Sequence, residues 1–184
     1  MSSEEDSSVE LVITPPEPFG NVLADRTRCR TTLGVLTQLL AQAQERVVIS
    51  APFLQQGYGL SSGPMAIALK AGLKRGVNVD VVSTRRSLDT IDVSSFRQGA
   101  LGSLRLFCSV ANVTDATKLG SHAKFCVCDG TRAYVGSANL TNPGLTEHLE
   151  IGLFVAGRVA KQIEELWLYS IEIGLFICVD ERSK

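Results

Sequence analysis

The stretch that decides the fold runs from Ser121-His-Ala-Lys-Phe-Cys-Val-Cys-Asp-Gly130 through Thr131-Arg-Ala-Tyr-Val-Gly-Ser-Ala-Asn-Leu140 to Glu150-Ile-Gly-Leu-Phe-Val155. Asp129-Gly130, set between two apolar runs, is a short-hairpin signal. Residues 122–128 and 132–140 therefore read as paired strands, and Glu150–Val155 as the strand that follows. Side chains alternate along a strand, so His122 and Lys124 share a face, as do Ser137 and Asn139. If those faces coincide, four polar groups converge on one small area.

Working outward, Leu33, Leu36, Leu40 and Ala43 recur at helical steps and predict an amphipathic helix over about residues 25–44. Arg46–Phe53 reads as a buried strand ending at Pro52. Pro64 starts a helix that stops at Gly76, with Lys74 and Arg75 in its last turn. Val77–Val82 is β-branched and reads as the next strand. Strand, helix, strand in this order predicts an α/β fold with a parallel pair and a right-handed crossover. Ser83–Ser87 is expected as a polar loop at the carboxyl end of that strand, where ligands bind in open sheets. Leu104–Cys108 is a third strand, followed by a polar loop over 111–120. A closing helix over about 160–174 places Ile163, Leu166, Trp167 and Ile171 on its inner face.

Bulk properties narrow the classes. The 184 residues suit one domain with a real core. No apolar run nears the ~20 residues of a membrane span, and the acidic start lacks signal-peptide features, so a cytoplasmic protein is expected. Residues 1–18 hold five acids and no base and are expected to be a disordered tail ahead of a single domain over 19–184. The rest then carries 18 bases against 14 acids, a mildly basic body. Five scattered cysteines show no second Cys or His pair to complete a zinc site with Cys126 and Cys128. Those two read as apolar strand filler, and no metal or other cofactor is expected.

Each polar group of the opening stretch fits a phosphodiester. Imidazole can attack phosphorus or protonate a leaving alcohol. Lys124 offers a positive charge to non-bridging oxygens, while Ser137 and Asn139 can donate hydrogen bonds. Gly136 lets the backbone pass close to a substrate. Singly, each residue has an ordinary structural reading. Jointly, His122, Lys124, Asp129, Gly136, Ser137 and Asn139 at this spacing arise by chance on the order of once in 10⁵–10⁶ chains of this length.

The spacing H-x-K-x4-D-x6-G-S-x-N resembles the HKD motif of the phospholipase D superfamily at all six positions, and the order of elements is similar over about residues 25–178. The resemblance implies a mixed β-sheet flanked by helices on both faces, and metal-free phosphodiester chemistry through a phosphohistidine. It implies that His122 is nucleophile or acid, that Lys124 and Asn139 bind phosphate, and that Ser137 supports it. Glu150, ahead of Glu147, is the match for the glutamate that orients the histidine, and Asp129 in its turn is structural. The family uses two motif histidines, whereas this chain has one motif, and His148 lacks its context. The second histidine is therefore expected from another subunit, in a homodimer with a composite site. The run from Leu119, with Gln162–Trp167, also resembles the phospholipase-D-like component of the DISARM phage-defence systems. That narrower likeness implies nucleic acid as target and other defence proteins as partners.

A nuclease is the leading expectation, with loop bases Arg85, Arg86 and Lys118 following a phosphate backbone. A phospholipid phosphodiesterase and a non-catalytic nucleic-acid-binding scaffold are the alternatives. The first of these wants an amphipathic membrane-facing helix that the sequence does not offer.

Overall fold

The computed structural model describes residues 7–54, 59–115 and 117–179. Its strands are β1 (Val9–Thr14), β2 (Arg30–Thr31), β3 (Arg46–Ser50), β4 (Asn78–Val82), β5 (Leu104–Ser109), β6 (Phe125–Cys128), β7 (Arg132–Gly136), β8 (Glu150–Ala156) and β9 (Phe176–Cys178). They form one mixed sheet in the order β2-β1-β8-β7-β6-β3-β4-β5-β9. Strands β3, β4 and β5 run parallel, joined by α3 (Gly63–Arg75) and by the short helices α4 (Arg85–Leu88) and α5 (Val93–Arg97). The remaining helices are α1 (Gly20–Thr27), α2 (Thr32–Gln42), α6 (Val110–Thr114) and α7 (Arg158–Glu172).

Two apolar layers flank the sheet. On one face α2 and α3 bury Leu36, Leu39, Leu69 and Leu73 against Val47, Ile49, Val79, Val81 and Tyr134. On the other, α7 sets Trp167 against Val48, Val82, Phe107 and Val127. Trp167 meets Phe107 edge-on at 5.1 Å, and its Nε1 donates to Asp80 Oδ2 at 3.0 Å. Asp80 is nearly fully buried and takes a two-point clamp from Arg105 at 2.8 and 2.9 Å. Its charge is therefore paired and hydrogen-bonded, as burial requires.

Several expectations need correction. The disordered tail expected over residues 1–18 is overturned in its second half. Residues 9–14 form β1, which pairs antiparallel with β8 from Val9↔Val155 to Thr14↔Glu150. Val12 and Ile13 are buried, and Thr14 Oγ1 donates to Gly144 O at 2.9 Å. The domain thus begins before residue 19, while residues 1–6 of the expected tail lie outside the described residues. The helix expected over 25–44 is split, because Thr31 in extended conformation caps α2 by accepting from Gly34 N at 3.3 Å. Thr84 likewise caps α4, so Arg85 and Arg86 sit in a helical turn rather than a loop. The loop expected over 111–120 begins as α6, and β9 was not foreseen. On α7, Trp167 faces inward but Leu166 is 65% exposed.

The hairpin is where the sequence places it, though shorter. The ladder closes at Cys128↔Arg132 and ends at Phe125↔Val135, so His122 and Lys124 lead into β6 and Ser137 and Asn139 leave β7. Because β6 is antiparallel to β3, the loop before β6 meets the carboxyl ends of β3, β4 and β5. The end of β7 and the start of β8 arrive at the same edge. One edge of the sheet therefore collects His122, Lys124, Ser137, Asn139 and Glu150.

Candidate active site

Lys124 is the centre of this edge. Its side chain is 8% exposed, and Nζ lies 3.1 Å from His122 Nδ1 and 3.1 Å from the His122 carbonyl oxygen. Burial lowers the Lys124 pKa from the ordinary lysine value, and the nearby Glu150 charge acts against that shift. The His122 ring itself is exposed. Its loop is fastened by Ser50 Oγ, which donates to Ala123 O at 3.0 Å. Gly120, with φ of 70°, lets the same loop close on Ser109, whose Oγ lies 1.7 Å from where a Cβ would sit. These two fastenings were not read from the sequence, since neither Ser50 nor Ser109 lies near the motif in the chain.

Ser137 and Glu150 depart from their expected partners. The Ser137 hydroxyl donates to Glu150 Oε2 and accepts from Ile151 N at 3.1 Å, so it positions the carboxylate. Among the described residues Glu150 makes no hydrogen bond to the His122 ring, whose Nδ1 faces Lys124 instead. Glu150 opens β8 and Ser137 follows the end of β7, so strand pairing delivers these two to each other. Glu147 is engaged elsewhere, accepting from Asn142 Nδ2 across the π-helical turn at Pro143–Glu147. No hydrogen bond joins His148 to His122 among the described residues.

Asn139 Oδ1 is enclosed and has no protein hydrogen-bond partner among the described residues. An unmet buried amide oxygen costs about 1–3 kcal/mol, and here it lies at the same sheet edge as Lys124. Gly136 has a structural reason beyond close approach. A Cβ there would sit 2.2 Å from Tyr134 Oη and 2.8 Å from Gly152 Cα. Gly152 makes room for the same ring, at 2.5 Å. Gly136→Ala is expected to cost about 1–3 kcal/mol through overpacking, read as a lower urea midpoint; an unchanged midpoint would refute the clash.

Asp129 lies at the opposite end of the hairpin. It adopts φ of 54°, followed by Gly130 at 59°. Its carboxylate accepts from the backbone N–H groups of Gln44, Glu45 and Arg46, each at 2.9 Å. Cys126 and Cys128 are buried filler on the α2 side. The Cys128 thiol is pushed well above its ordinary pKa by its hydrogen bond to Cys126 and by burial, which leaves it unreactive. Of the loop bases, Arg85 pairs with Asp89 at 3.0 Å, while Arg86 and Lys118 are exposed.

Comparisons with known proteins bear on this arrangement. A family model described as "Cardiolipin synthase, PLD-like domain" matches residues 36–168. The DISARM protein DrmC of Bacillus paralicheniformis is 27% identical over 182 residues, which cover 94% of this chain and 67% of that protein. Among solved structures, NucT from Helicobacter pylori matches with a TM-score of 0.64 at 15% identity, covering 95% of this chain and 99% of its own. Nuc from Salmonella typhimurium, a phospholipase D family member, gives 0.60 at 17% identity, with 94% and 98% covered. Phosphatidylserine synthase from Haemophilus influenzae gives 0.63 at 12% identity, covering 97% of this chain and 41% of that one. The three structures share the fold.

Proposed function

Since the chain belongs to the PLD-like family, we propose that it is a metal-independent phosphodiesterase working through a phosphohistidine at His122, with nucleic acid as substrate. The observation that carries the reading is the buried Lys124 ammonium held against His122 Nδ1, at the sheet edge that also presents Glu150 and Asn139. A phosphate seated there meets a positive charge in a partly desolvated setting, where electrostatic stabilisation is strong. Its oxygens could also accept from Asn139 Nδ2.

The chemistry needs two histidines in different forms. One is an imidazolium, protonated on both nitrogens and ready to protonate a leaving alcohol. The attacking one is neutral, with its proton on Nδ1 and the Nε2 lone pair free. Nε2 then bonds to phosphorus as the bond to the leaving oxygen breaks, and the acid histidine gives that oxygen its proton. Water next attacks phosphorus, loses a proton to the second histidine and releases the first.

Two histidines are required, and the chain has one such motif. The second comes from another copy in a homodimer with a composite site. The sheet supports this with an exposed apolar face formed by Leu11, Val135, Ile151 and Leu153. Ile151 carries that face to the site, because Ser137 N donates to its carbonyl at 3.0 Å. Sedimentation of the active species as a monomer would overturn the composite site. The relation to the DISARM protein DrmC supports an antiviral role alongside other defence proteins. Among the described residues no helix is long and apolar enough to cross a membrane.

The test is hydrolysis of bis(p-nitrophenyl) phosphate in excess EDTA, followed by single-stranded DNA, duplex DNA, RNA and phosphatidylcholine vesicles. Activity that requires an added metal rejects the mechanism; turnover of the vesicles alone rejects the nucleic-acid reading. The pH profile adds a directional check. A lysine with a lowered pKa loses its charge as pH rises through that lowered value, so phosphate binding weakens there. Glu150→Gln removes the charge that opposes the lowering, and the alkaline rise in KM is expected to move to lower pH. A rise that stays in place or moves up contradicts the coupling.

A further inference from the structure

Beside the phosphate site, at the carboxyl ends of β3 and β4, a groove of about 700 Å³ is lined by Phe53, Arg85, Arg86, Asn112 and Leu119 among others. That size falls in the range of small-ligand clefts. Its frame is fastened by buried hydroxyls. Thr84 and Ser87 both donate to Pro52 O at 3.2 Å, and Ser83 donates to Ala51 O at 2.7 Å. Asn112 ties two further segments, accepting from Arg85 N at 2.8 Å and donating to Lys118 O at 2.7 Å.

On this rigid frame stand two unspent groups. The Phe53 ring is 43% exposed. Arg86 is exposed and has no ion pair among the described residues, whereas neighbouring Arg85 is committed to Asp89. The groove also adjoins the motif. Leu119 opens the loop that carries His122, and Leu54 bridges to Leu140, next to Asn139.

We propose that this groove is a nucleoside subsite for single-stranded nucleic acid, in which a base stacks on Phe53 and the adjoining phosphate meets Arg86, with Lys118 at the rim. The inference rests on the phosphodiesterase reading above and names its substrate class. An aromatic ring and an exposed guanidinium lining one groove match a base followed by a phosphate. A duplex hides the faces of its bases within the stack, so the strand must be single. An acyl chain would gain nothing from the arginine.

The experiment measures binding of a fluorescein-labelled thymidine hexanucleotide to the His122→Ala protein, which cannot cleave it. Phe53→Ala on that background is expected to weaken binding about tenfold. Arg86→Gln is expected to lower the slope of log affinity against log salt by about 0.7, the share of one single-strand phosphate. Arg86 is exposed, so an unchanged melting temperature should accompany its effect; Phe53→Leu, which keeps apolar cover and loses the ring, should weaken binding with little change in melting temperature. Unchanged affinity and slope in both variants overturn the proposal, as does a hexamer duplex bound as tightly as the single strand. Binding of phosphatidylglycerol-containing vesicles in place of the oligonucleotide also overturns it. Hydrolysis of bis(p-nitrophenyl) phosphate by the wild-type protein separates the two readings. Its absence, with both binding effects present, removes the catalytic reading and leaves the groove; its presence, with silent variants, removes the groove alone.

Discussion

Replacing His122 with alanine is expected to lower kcat/KM for a phosphodiester by at least about 10³-fold while leaving the fold intact. His122 is exposed, and among the described residues its ring has one hydrogen bond, with Lys124, so the change in stability should stay within about 0.5 kcal/mol. Loss of activity would thus report chemistry and not unfolding. The variant also tests the shared site. If each turnover draws one histidine from each subunit, a mixed dimer with one His122→Ala chain is silent. Exchanging wild-type subunits with an excess of the variant should then cut activity further than dilution does. Activity that survives the substitution rejects His122 as nucleophile and acid alike, and activity that follows dilution alone rejects the composite site.

The largest stability effect is expected from Asp129→Ala, at about 3–4 kcal/mol. The carboxylate holds three backbone N–H groups at the start of β3, each at 2.9 Å, and bonds to a charged acceptor are each worth about 1.5–3 kcal/mol. Partial exposure of Gln44 and Glu45 lets water recover part of that loss. Alanine also tolerates the left-handed backbone less well than aspartate, which adds about 1 kcal/mol. For a domain of this size the melting temperature should fall by about 6–15 °C. Asp129→Asn keeps an acceptor oxygen and the turn preference, so it should lose markedly less. A melting temperature within a degree of wild type for Asp129→Ala would show that the clamp contributes little.

That second expectation shows how far local reading carries. Asp-Gly between two strand-like runs identifies a turn, and the turn identifies Asp129 as structural. Nothing in residues 121–140 says that its carboxylate reaches across to residues 44–46. The same holds for β1. Its residues follow an acidic, serine-rich start and precede prolines, so composition resembles a tail. Only the pairing with β8, some 140 residues away along the chain, makes it a strand. Leu166 illustrates the converse, for it sits next to the buried Trp167 in the chain but points about 100° away from it around α7 and stays exposed.

Residues 121–140 alone specify a set of chemical groups and their order: His122 and Lys124 two apart, Ser137 and Asn139 two apart, and a turn between them. Local backbone rules suffice for that, because alternation and turn preference act over a few residues. Which groups meet depends on how the sheet assembles. Its assembly gave Ser137 to Glu150, Asp129 to the backbone of residues 44–46, and Tyr134 to the space beside Gly152. It also set Phe53 and Arg86 beside the motif. Those choices depend on strand order and register, which bring distant segments within hydrogen-bonding range, and no short window of sequence records them.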